Sequence, residues 1–538
     1  MSHAHSQRLA RLAVGTFMGA ALASLSAAQG YKFTIIDSSN ATNLGNIVYG
    51  KPVINDAGEV AFSKYDVTSA SNDTLYKSSG GALTTMANTT GPIRAFLDDY
   101  VRINNLGHVI VTGTDTFPWP NGSQLIVLAT GTSNTVIASG ALLGLPNGTY
   151  GTYRGWSLDD SDVAIVDVGG AAPHGIYRAS AAGMTQAWSN TNCPPGGATM
   201  RGAWSNNLGQ FASVAIYCSG PYWSGGCGLN GINSPYAAVL VAGATPTVLA
   251  PDDDPRWSAA NSVSLQLNDL GQVAYRGGGC NSLTVIRADV SGPTVIDDNQ
   301  SFNDAVAIND HGQVAYSTST SLTGDQVWVG DGVAKHRVVG SGDHLAGSSV
   351  HFATIGYQSI NDSGQIAAII DLVDNRRMIV RFDPVPAPST YCTSGTSFDG
   401  CTPTIASSGI PSATNYQSFT LSCSGLPAQK NGFFFYGVSG RSSAPWGNST
   451  SVLCVNSPTQ RMLPVLTANG TSAPACDGVI STNWNAWIAA NPSAFGAPFA
   501  PGAVVDAQLW YRDSQSGTGP VGGKGTALSN ALEFTVGL

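Results

Sequence analysis

The chain has 538 residues, which is too long for one compact core and predicts at least two domains. Only 11% of the residues are charged, and Gly numbers 64. Long amphipathic helices need a charged face, so this composition favours short strands joined by tight turns. The net charge of −9, with only 24 Lys and Arg, excludes a basic surface for nucleic acid or for anionic membranes.

The N-terminus has the order of a secretory signal peptide. Arg8 and Arg11 precede an apolar stretch that runs from Leu12 to about Leu25, and the small residues Ser26-Ala27-Ala28 follow it. The apolar stretch is too short for a membrane span, and no later run reaches 18 apolar residues. We therefore expect residues 1–28 to be removed, and the mature protein to be secreted or periplasmic without a membrane span.

One motif recurs seven times after this segment, and its clearest copy is Ile54-Asn55-Asp56-Ala57-Gly58-Glu59-Val60-Ala61-Phe62. Asn-Asp starts a turn because short polar side chains bond nearby backbone N–H groups, and Gly supplies a positive φ. The residues after Gly alternate as a strand does, so the motif predicts a β-hairpin. The copies begin at residues 54, 103, 158, 205, 267, 308 and 360. The copy at 158 lacks the Gly and is one residue short, and the copy at 205 lacks the leading aliphatic residue.

The spacing of the copies predicts the architecture. They begin on average 51 residues apart, and most are followed by a second pair of strand-like runs, such as Gly175-Ile176-Tyr177-Arg178 with Met184-Thr185-Gln186-Ala187. Four short strands in such a period predict one propeller blade, whereas a linear β-solenoid needs a shorter period. We therefore predict an all-β chain with a seven-bladed β-propeller over residues 29–383.

Closure of the propeller also has a candidate. The strand-like segment Lys32-Phe33-Thr34-Ile35-Ile36 precedes the first copy, and the seventh copy leaves no room for a full second hairpin before Pro384. We therefore expect the N-terminal strand to complete the last blade, so that no edge stays unpaired. The repeats resemble those of secreted bacterial proteins built from I-N-D-x-G-x-V-A-F hairpins, which implies a propeller-like fold over roughly residues 31–383 and brings no catalytic residue.

A second domain follows a proline-rich linker at residues 384–390. Residues 391–538 are richer in Ser, Thr, Gly and Cys, and short strand-like runs between turn clusters predict an antiparallel β-sandwich. Stretches such as Pro445-Trp446-Gly447-Asn448 and Leu509-Trp510-Tyr511-Arg512-Asp513 resemble a C-terminal module attached to varied secreted bacterial proteins. The resemblance implies an accessory domain.

Nine cysteines fit an oxidising compartment, and an odd number leaves at least one unpaired within the chain. Proximity in sequence and the resemblance to the module imply the pairs Cys392–Cys401 and Cys454–Cys476, with Cys423 as the free thiol. In the repeat region the pairing stays open among three possibilities for Cys193, Cys218, Cys227 and Cys280.

No catalytic or metal-binding pattern stands out. Carboxylate runs such as Asp252-Asp253-Asp254 lack the alternating ligands of a Ca²⁺ loop, and His336, His344 and His351 have no zinc spacing. The G-x-S-x-G sequence of many hydrolases is absent. We therefore expect no cofactor, assign no catalytic residue, and attribute the Asn-Asp of the repeat to turn chemistry.

Three tryptophans in Pro- or Gly-rich or otherwise loop-like segments are the candidate binding residues: Trp119, Trp223 and Trp257. Such a Trp can stack on a sugar ring or anchor a partner, although it can also be wedged between blades. We rank an exported binding or surface-interaction protein, with glycan as a candidate ligand, above an extracellular polysaccharide hydrolase or lyase. Three or more acids, His or Arg converging at one mouth of the propeller channel favour the enzyme, and scattered polar residues there favour binding.

Overall fold

A computed structural model of the chain describes the residue ranges to which all structural statements below refer. These ranges are 30–39, 47–66, 73–90, 93–115, 124–144, 151–170, 175–189, 198–217, 236–242, 245–250, 265–277, 283–300, 302–320, 324–414, 418–446, 450–472, 474–513 and 525–538. Within them, no helix is long and apolar enough to cross a membrane.

Seven antiparallel sheets follow one another along residues 31–384, and each forms one blade of a β-propeller. The first strand is β1 (Tyr31–Ser38), which belongs to the last blade. Blade 1 consists of β2 (Ile47–Tyr49), β3 (Val53–Ile54), β4 (Val60–Asp66), β5 (Thr74–Ser78) and β6 (Thr84–Asn88), and blade 2 of β7 (Ala95–Ile103), β8 (Val109–Thr114), β9 (Gln124–Ala129) and β10 (Asn134–Ala138). Blade 3 consists of β11 (Gly151–Leu158), β12 (Ala164–Gly170), β13 (Gly175–Ser180) and β14 (Gly183–Ser189), and blade 4 of β15 (Ala198–Ser205), β16 (Phe211–Tyr217), β17 (Tyr236–Ala242) and β18 (Thr245–Ala250).

Blade 5 consists of β19 (Gln266–Leu267), β20 (Val273–Gly277), β21 (Leu283–Asp289) and β22 (Gly292–Gln300), and blade 6 of β23 (Phe302–Ile308), β24 (Val314–Thr320), β25 (Gly324–Gly330) and β26 (Lys335–Gly340). Blade 7 consists of β27 (His344–Leu345), β28 (Ser348–Ile360), β29 (Ile366–Leu372) and β30 (Arg377–Pro384), together with β1. A short 3-10 helix at Ala141–Leu143 follows blade 2. The predicted seven-bladed propeller is confirmed, and each motif copy forms the turn between two strands of one blade.

The turn of each copy is closed in the same way. The N–H of Gly58 donates to the carbonyl oxygen of Asn55 at 3.0 Å, and Gly58 has a φ of 74°. In the copy without Gly, Asp162 takes this place with a φ of 60°, a conformation that Asp tolerates better than most residues. The interpretation of that copy as one residue short is wrong, because Leu158 pairs with Ala164 as Ile54 pairs with Val60.

The N-terminal strand closes the propeller, as predicted. β1 pairs antiparallel with β30 and completes the sheet of β28 and β29, with Phe33 opposite Phe382. Ile36 of β1 lies in one apolar cluster with Phe62 of blade 1 and Ile369 of blade 7. The core of the propeller therefore lies between facing blades, and the closing strand contributes to the cluster where the last blade meets the first.

The chain beyond residue 388 forms the predicted antiparallel β-sandwich. A six-stranded sheet and a three-stranded sheet share one apolar core, which includes Leu421, Leu509 and the fully buried Trp484. Asn483 caps a short α-helix by accepting a hydrogen bond from the N–H of Ala486. The elements are β31 (Ser389–Tyr391), β32 (Thr404–Gly409), β33 (Phe419–Leu426), β34 (Asn431–Gly437), β35 (Arg441–Trp446), β36 (Ser451–Val455), β37 (Thr459–Arg461), β38 (Leu466–Thr467), β39 (Gly478–Asn483), α1 (Trp484–Ala490), β40 (Val504–Arg512) and β41 (Thr526–Thr535).

Two disulfides cross-link the sandwich, and their pairing differs from the expectation. Cys392 bonds Cys454 and Cys401 bonds Cys476, with Cα–Cα distances of 6.3 and 5.4 Å. The predicted pairs Cys392–Cys401 and Cys454–Cys476 are therefore wrong. The physical reason is that Tyr391 donates a hydrogen bond to the carbonyl oxygen of Cys454, which brings Cys392 to β36 rather than to its neighbour in sequence. Cys423 is a buried free thiol, as predicted.

Candidate functional site

The seven turns of the repeat meet around a single depression at one mouth of the propeller channel. We call this depression the recess; its volume is about 690 Å³, measured to include its open mouth. Every motif copy lines the recess with its leading residue and with the next two residues of the chain. We call those next two residues the first and second positions of the copy. The first positions are Asn55, Asn104, Asp159, Asn206, Asn268, Asn309 and Asn361, and the second positions are Asp56, Asn105, Asp160, Asn207, Asp269, Asp310 and Asp362.

The second positions form a closed ring of hydrogen bonds. In each blade the backbone N–H of this residue donates to the Oδ1 atom of the second-position residue in the next blade. The bonds run from Asp56 to Asn105 (3.0 Å), Asn105 to Asp160 (2.8 Å), Asp160 to Asn207 (2.9 Å), Asn207 to Asp269 (2.8 Å), Asp269 to Asp310 (2.7 Å), Asp310 to Asp362 (2.7 Å) and Asp362 to Asp56 (2.9 Å). The assignment of Asn-Asp to turn chemistry was therefore incomplete, because these side chains also join the blades.

The first positions form a second, buried set of bonds between blades. The Nδ2 atom of Asn309, for example, donates to the carbonyl oxygen of Asn361 at 3.0 Å, while its Oδ1 accepts the N–H of Gln313 within its own turn. Asp159 has no amide to donate. At that junction the hydroxyl groups of Ser157 and Ser205 lie 2.8 Å apart and join blades 3 and 4 instead.

Negative charge is concentrated on one arc of the ring. Asp269, Asp310, Asp362 and Asp56 follow one another around the mouth, each bonded to the next. Burial raises the pKa of Asp310 to about 6, and the neighbouring carboxylates add to the shift. Burial also raises the pKa of Asp362. Two neighbouring carboxyl groups on this arc are therefore weaker acids than an ordinary Asp side chain.

Side chains from non-adjacent blades fill the channel beneath the recess. The guanidinium group of Arg102 in blade 2 lies 4.9 Å from the ring centre of Trp204 in blade 4 and 5.3 Å from that of Tyr357 in blade 7. Arg102 is only 1% exposed. Because side chains from these blades can meet only across the channel, they close it below the mouth.

Gln358 strengthens this closure. It accepts a hydrogen bond from the N–H of Ile103 at 3.2 Å and donates one to the carbonyl oxygen of the same residue. It links blades 7 and 2 past the two-residue strand β3 of blade 1. Its φ of 58° is uncommon for a non-glycine residue, and strain of this kind clusters at functional sites.

Gln266 provides an unused donor in the recess. Its side chain lines the recess and is 2% exposed. Its Nε2 atom has no hydrogen-bond partner among the residues that the structure describes. An unpaired buried donor costs about 1–3 kcal/mol, so the site suits a bound group that offers an oxygen acceptor.

The structure does not place all of the residues singled out from the sequence. Trp119, Trp223 and Trp257 lie outside the described ranges, as do Cys193, Cys218, Cys227 and Cys280. Their roles stay predictions. Within the described ranges, no group of three or more His, Cys, Asp or Glu side chains is arranged to hold a metal ion.

Sequence reasoning missed the side chains inside the rim. Arg102, Ser157, Trp204 and Gln266 each directly precede the leading residue of a motif copy. This position carries a different residue in each of these blades, next to a motif that hardly changes. A variable position at a fixed place in a repeat was therefore the signal that could have found them.

Comparison with known proteins gives similarity in fold alone. Neither a protein-family model nor a curated protein matches the sequence. Similar solved structures include the β-propeller domain of the Trilobed protease from Pyrococcus furiosus (10% identity, TM-score 0.38, 54% of this chain and 80% of that one). Others are a puromycin-hydrolysing peptidase from Mycobacterium tuberculosis (11%, 0.41, 75% and 63%) and an acylaminoacyl peptidase from Pyrococcus horikoshii (9%, 0.38, 70% and 51%). Similarity at this level carries no argument about what this chain binds or does.

Proposed function

We propose that this chain is an exported binding protein whose propeller mouth recognises a neutral, polyhydroxylated ligand such as a glycan. The recess is the observation that carries the proposal. Amide, carboxyl and hydroxyl groups from all seven blades surround it, and no Lys, Arg or His is among the described residues that line it. Sugar hydroxyls both donate and accept hydrogen bonds, so they can pair with the rim carboxylates and with the Nε2 atom of Gln266.

Export is supported by the chemistry of the sandwich and by the N-terminal sequence. Two disulfides in one domain fit an oxidising compartment. The charged, apolar and small-residue order of residues 1–28 is typical of a signal peptide. Both observations favour a ligand met outside the cytoplasm.

Binding explains the rim better than catalysis does. Carboxylates converge at the mouth, which on its own favours an enzyme. However, each of these carboxylates accepts the N–H of a neighbouring turn, and Asn105 and Asn207 make the same bond without a charge. The second position therefore requires a hydrogen-bond acceptor rather than an acid.

One observation supports the second candidate, an extracellular polysaccharide hydrolase or lyase. A carboxyl group with a pKa of about 6 next to other carboxylates is the arrangement that acid–base cleavage of a polymer uses. In that case Asp310 acts as the acid and a neighbouring carboxylate as the base. Loss of turnover in Asp310→Asn, with folding retained, is then expected.

The test combines glycan-array binding of the mature protein with an activity screen on the same polymers. We expect binding without turnover. Gln266→Met removes the unpaired amide at similar volume and should weaken binding by roughly two- to tenfold. Gln326→Met is the matched control, because Gln326 is also buried but lies on β25 outside the recess. If the protein turns over a polymer, and Asp310→Asn abolishes this turnover without unfolding the protein, the binding proposal is wrong and the enzyme takes its place.

A further inference from the structure

Among the described residues, side chains close the recess on the side opposite its mouth. Below it, Arg102, Trp204 and Tyr357 come together from blades 2, 4 and 7 and block the channel. Gln358 adds a direct link from blade 7 to the backbone of blade 2. A ligand that enters from the mouth therefore cannot pass through the propeller.

The rim of the recess is also closed sideways. Each of the seven second-position residues donates a hydrogen bond to the next, and the last bond returns from Asp362 to Asp56. A glycan bound along its length needs a groove with two open ends, through which the chain enters and leaves. A closed rim around a blocked channel provides no such groove.

The size of the recess limits how much ligand it encloses. Its empty space of about 690 Å³ includes open solvent at the mouth, so the volume enclosed within the rim is smaller than this. The space enclosed within the rim therefore suits the end of a chain and not a long segment of it. The buried Nε2 atom of Gln266 supplies a donor for a hydroxyl or ring oxygen of the inserted unit.

We infer that the recess binds the terminal unit of a neutral glycan, end-on, and leaves the rest of the chain outside the mouth. This inference rests on the proposed function. It extends that function by naming the part of the ligand that is recognised. The protein therefore recognises the ends of glycan chains rather than their internal segments.

The experiment uses the mature protein and titrates three kinds of probe for each glycan that binds on the array. These are the free monosaccharide identical to its terminal unit, the oligosaccharide at lengths of four and eight units, and the same oligosaccharide capped by a different terminal sugar. We expect the monosaccharide to compete and the cap to reduce affinity at least tenfold. Doubling the length should change affinity per chain less than twofold.

Gln266→Met tests whether monosaccharide and chain occupy the same site. It should weaken both by the same factor, and Gln326→Met should weaken neither. Affinity that doubles with chain length, or binding that survives the cap, overturns the inference and leaves the proposed function standing. Absence of binding to every glycan on the array overturns the proposed function and the inference together. The probe titrations on the unmodified protein decide the question even if Gln266→Met does not fold.

Discussion

Asp310→Asn should stabilise the propeller at neutral pH by removing a charge while keeping the hydrogen bonds of the rim. The Oδ1 atom of Asp310 accepts the N–H of Asp269 at 2.7 Å, and an Asn side chain can make the same bond. The rim already contains this substitution in two places, because Asn105 and Asn207 accept the corresponding N–H groups. The variant therefore isolates the effect of charge.

The size and sign of the effect follow from the pKa of Asp310, which burial raises from 3.8 to about 6. This difference corresponds to about 3 kcal/mol, and because the side chain is partly exposed, solvent screening reduces it to about 1 kcal/mol. Folding favours the protonated form, so the stability that it contributes is fully present below pH 4 and is lost as the pH rises through 6. Asp310→Asn should therefore gain about 1 kcal/mol at pH 7.5 and almost nothing at pH 4.

Urea denaturation of wild type and variant at pH 7.5 and pH 4 measures this difference. Asp160→Asn is the control, because the two neighbours of Asp160 in the ring are the amides Asn105 and Asn207. Removing the charge of Asp160 therefore relieves no repulsion between adjacent carboxylates of the ring. We expect no gain in stability from the control. An Asp310→Asn variant that is no more stable than wild type at pH 7.5, or that gains equally at both pH values, would refute the reasoning.

Three further predictions concern closure, cross-links and recognition. Deleting residues 31–37 removes most of β1 and exposes the edge of β30, so size-exclusion chromatography and calorimetry should show aggregation or loss of a cooperative transition, whereas an unchanged monomer argues against closure by β1. Peptide mapping without reduction should recover Cys392 with Cys454 and Cys401 with Cys476, and a linked Cys392–Cys401 peptide contradicts this pairing. Glycan affinity should change less than twofold between 50 and 500 mM NaCl because the proposed ligand carries no charge, so a steep salt dependence speaks for a charged ligand instead.

The blades could be predicted because their information is local. Asn55 and Gly58 close a turn within one motif, and repetition of that motif at a regular spacing indicates a propeller. The rim could not be predicted in the same way. The bond from Asn55 to the carbonyl oxygen of Asn104 joins residues 49 apart, and the same Asn also serves its own turn, so the sequence pattern is the same with or without the bond between blades.

The disulfides and the interior of the recess depend on tertiary contacts that no short motif records. Cys392 meets Cys454 because the chain around Tyr391 packs against β36, which nearness in sequence to Cys401 does not reveal. Gln266 belongs to the site because its blade turns it toward the recess, although a buried Gln in a two-residue strand carries no signature of its own. Position in the repeat, rather than residue type, was the available clue.

The ring of second-position residues also bears on how such a protein can change its number of blades. Each of these residues is donor to one neighbour and acceptor from the other, so no blade carries a specialised start or end of the ring. A duplicated repeat would supply both the donor N–H and the acceptor side chain that the ring needs. After the loss of a repeat, the N–H and the side chain of its two former neighbours could bond to each other. At its second position the motif thus permits gene duplication and loss without new residues in the ring, and other contacts, such as the packing of adjacent sheets and the strand that closes the circle, limit the number of blades.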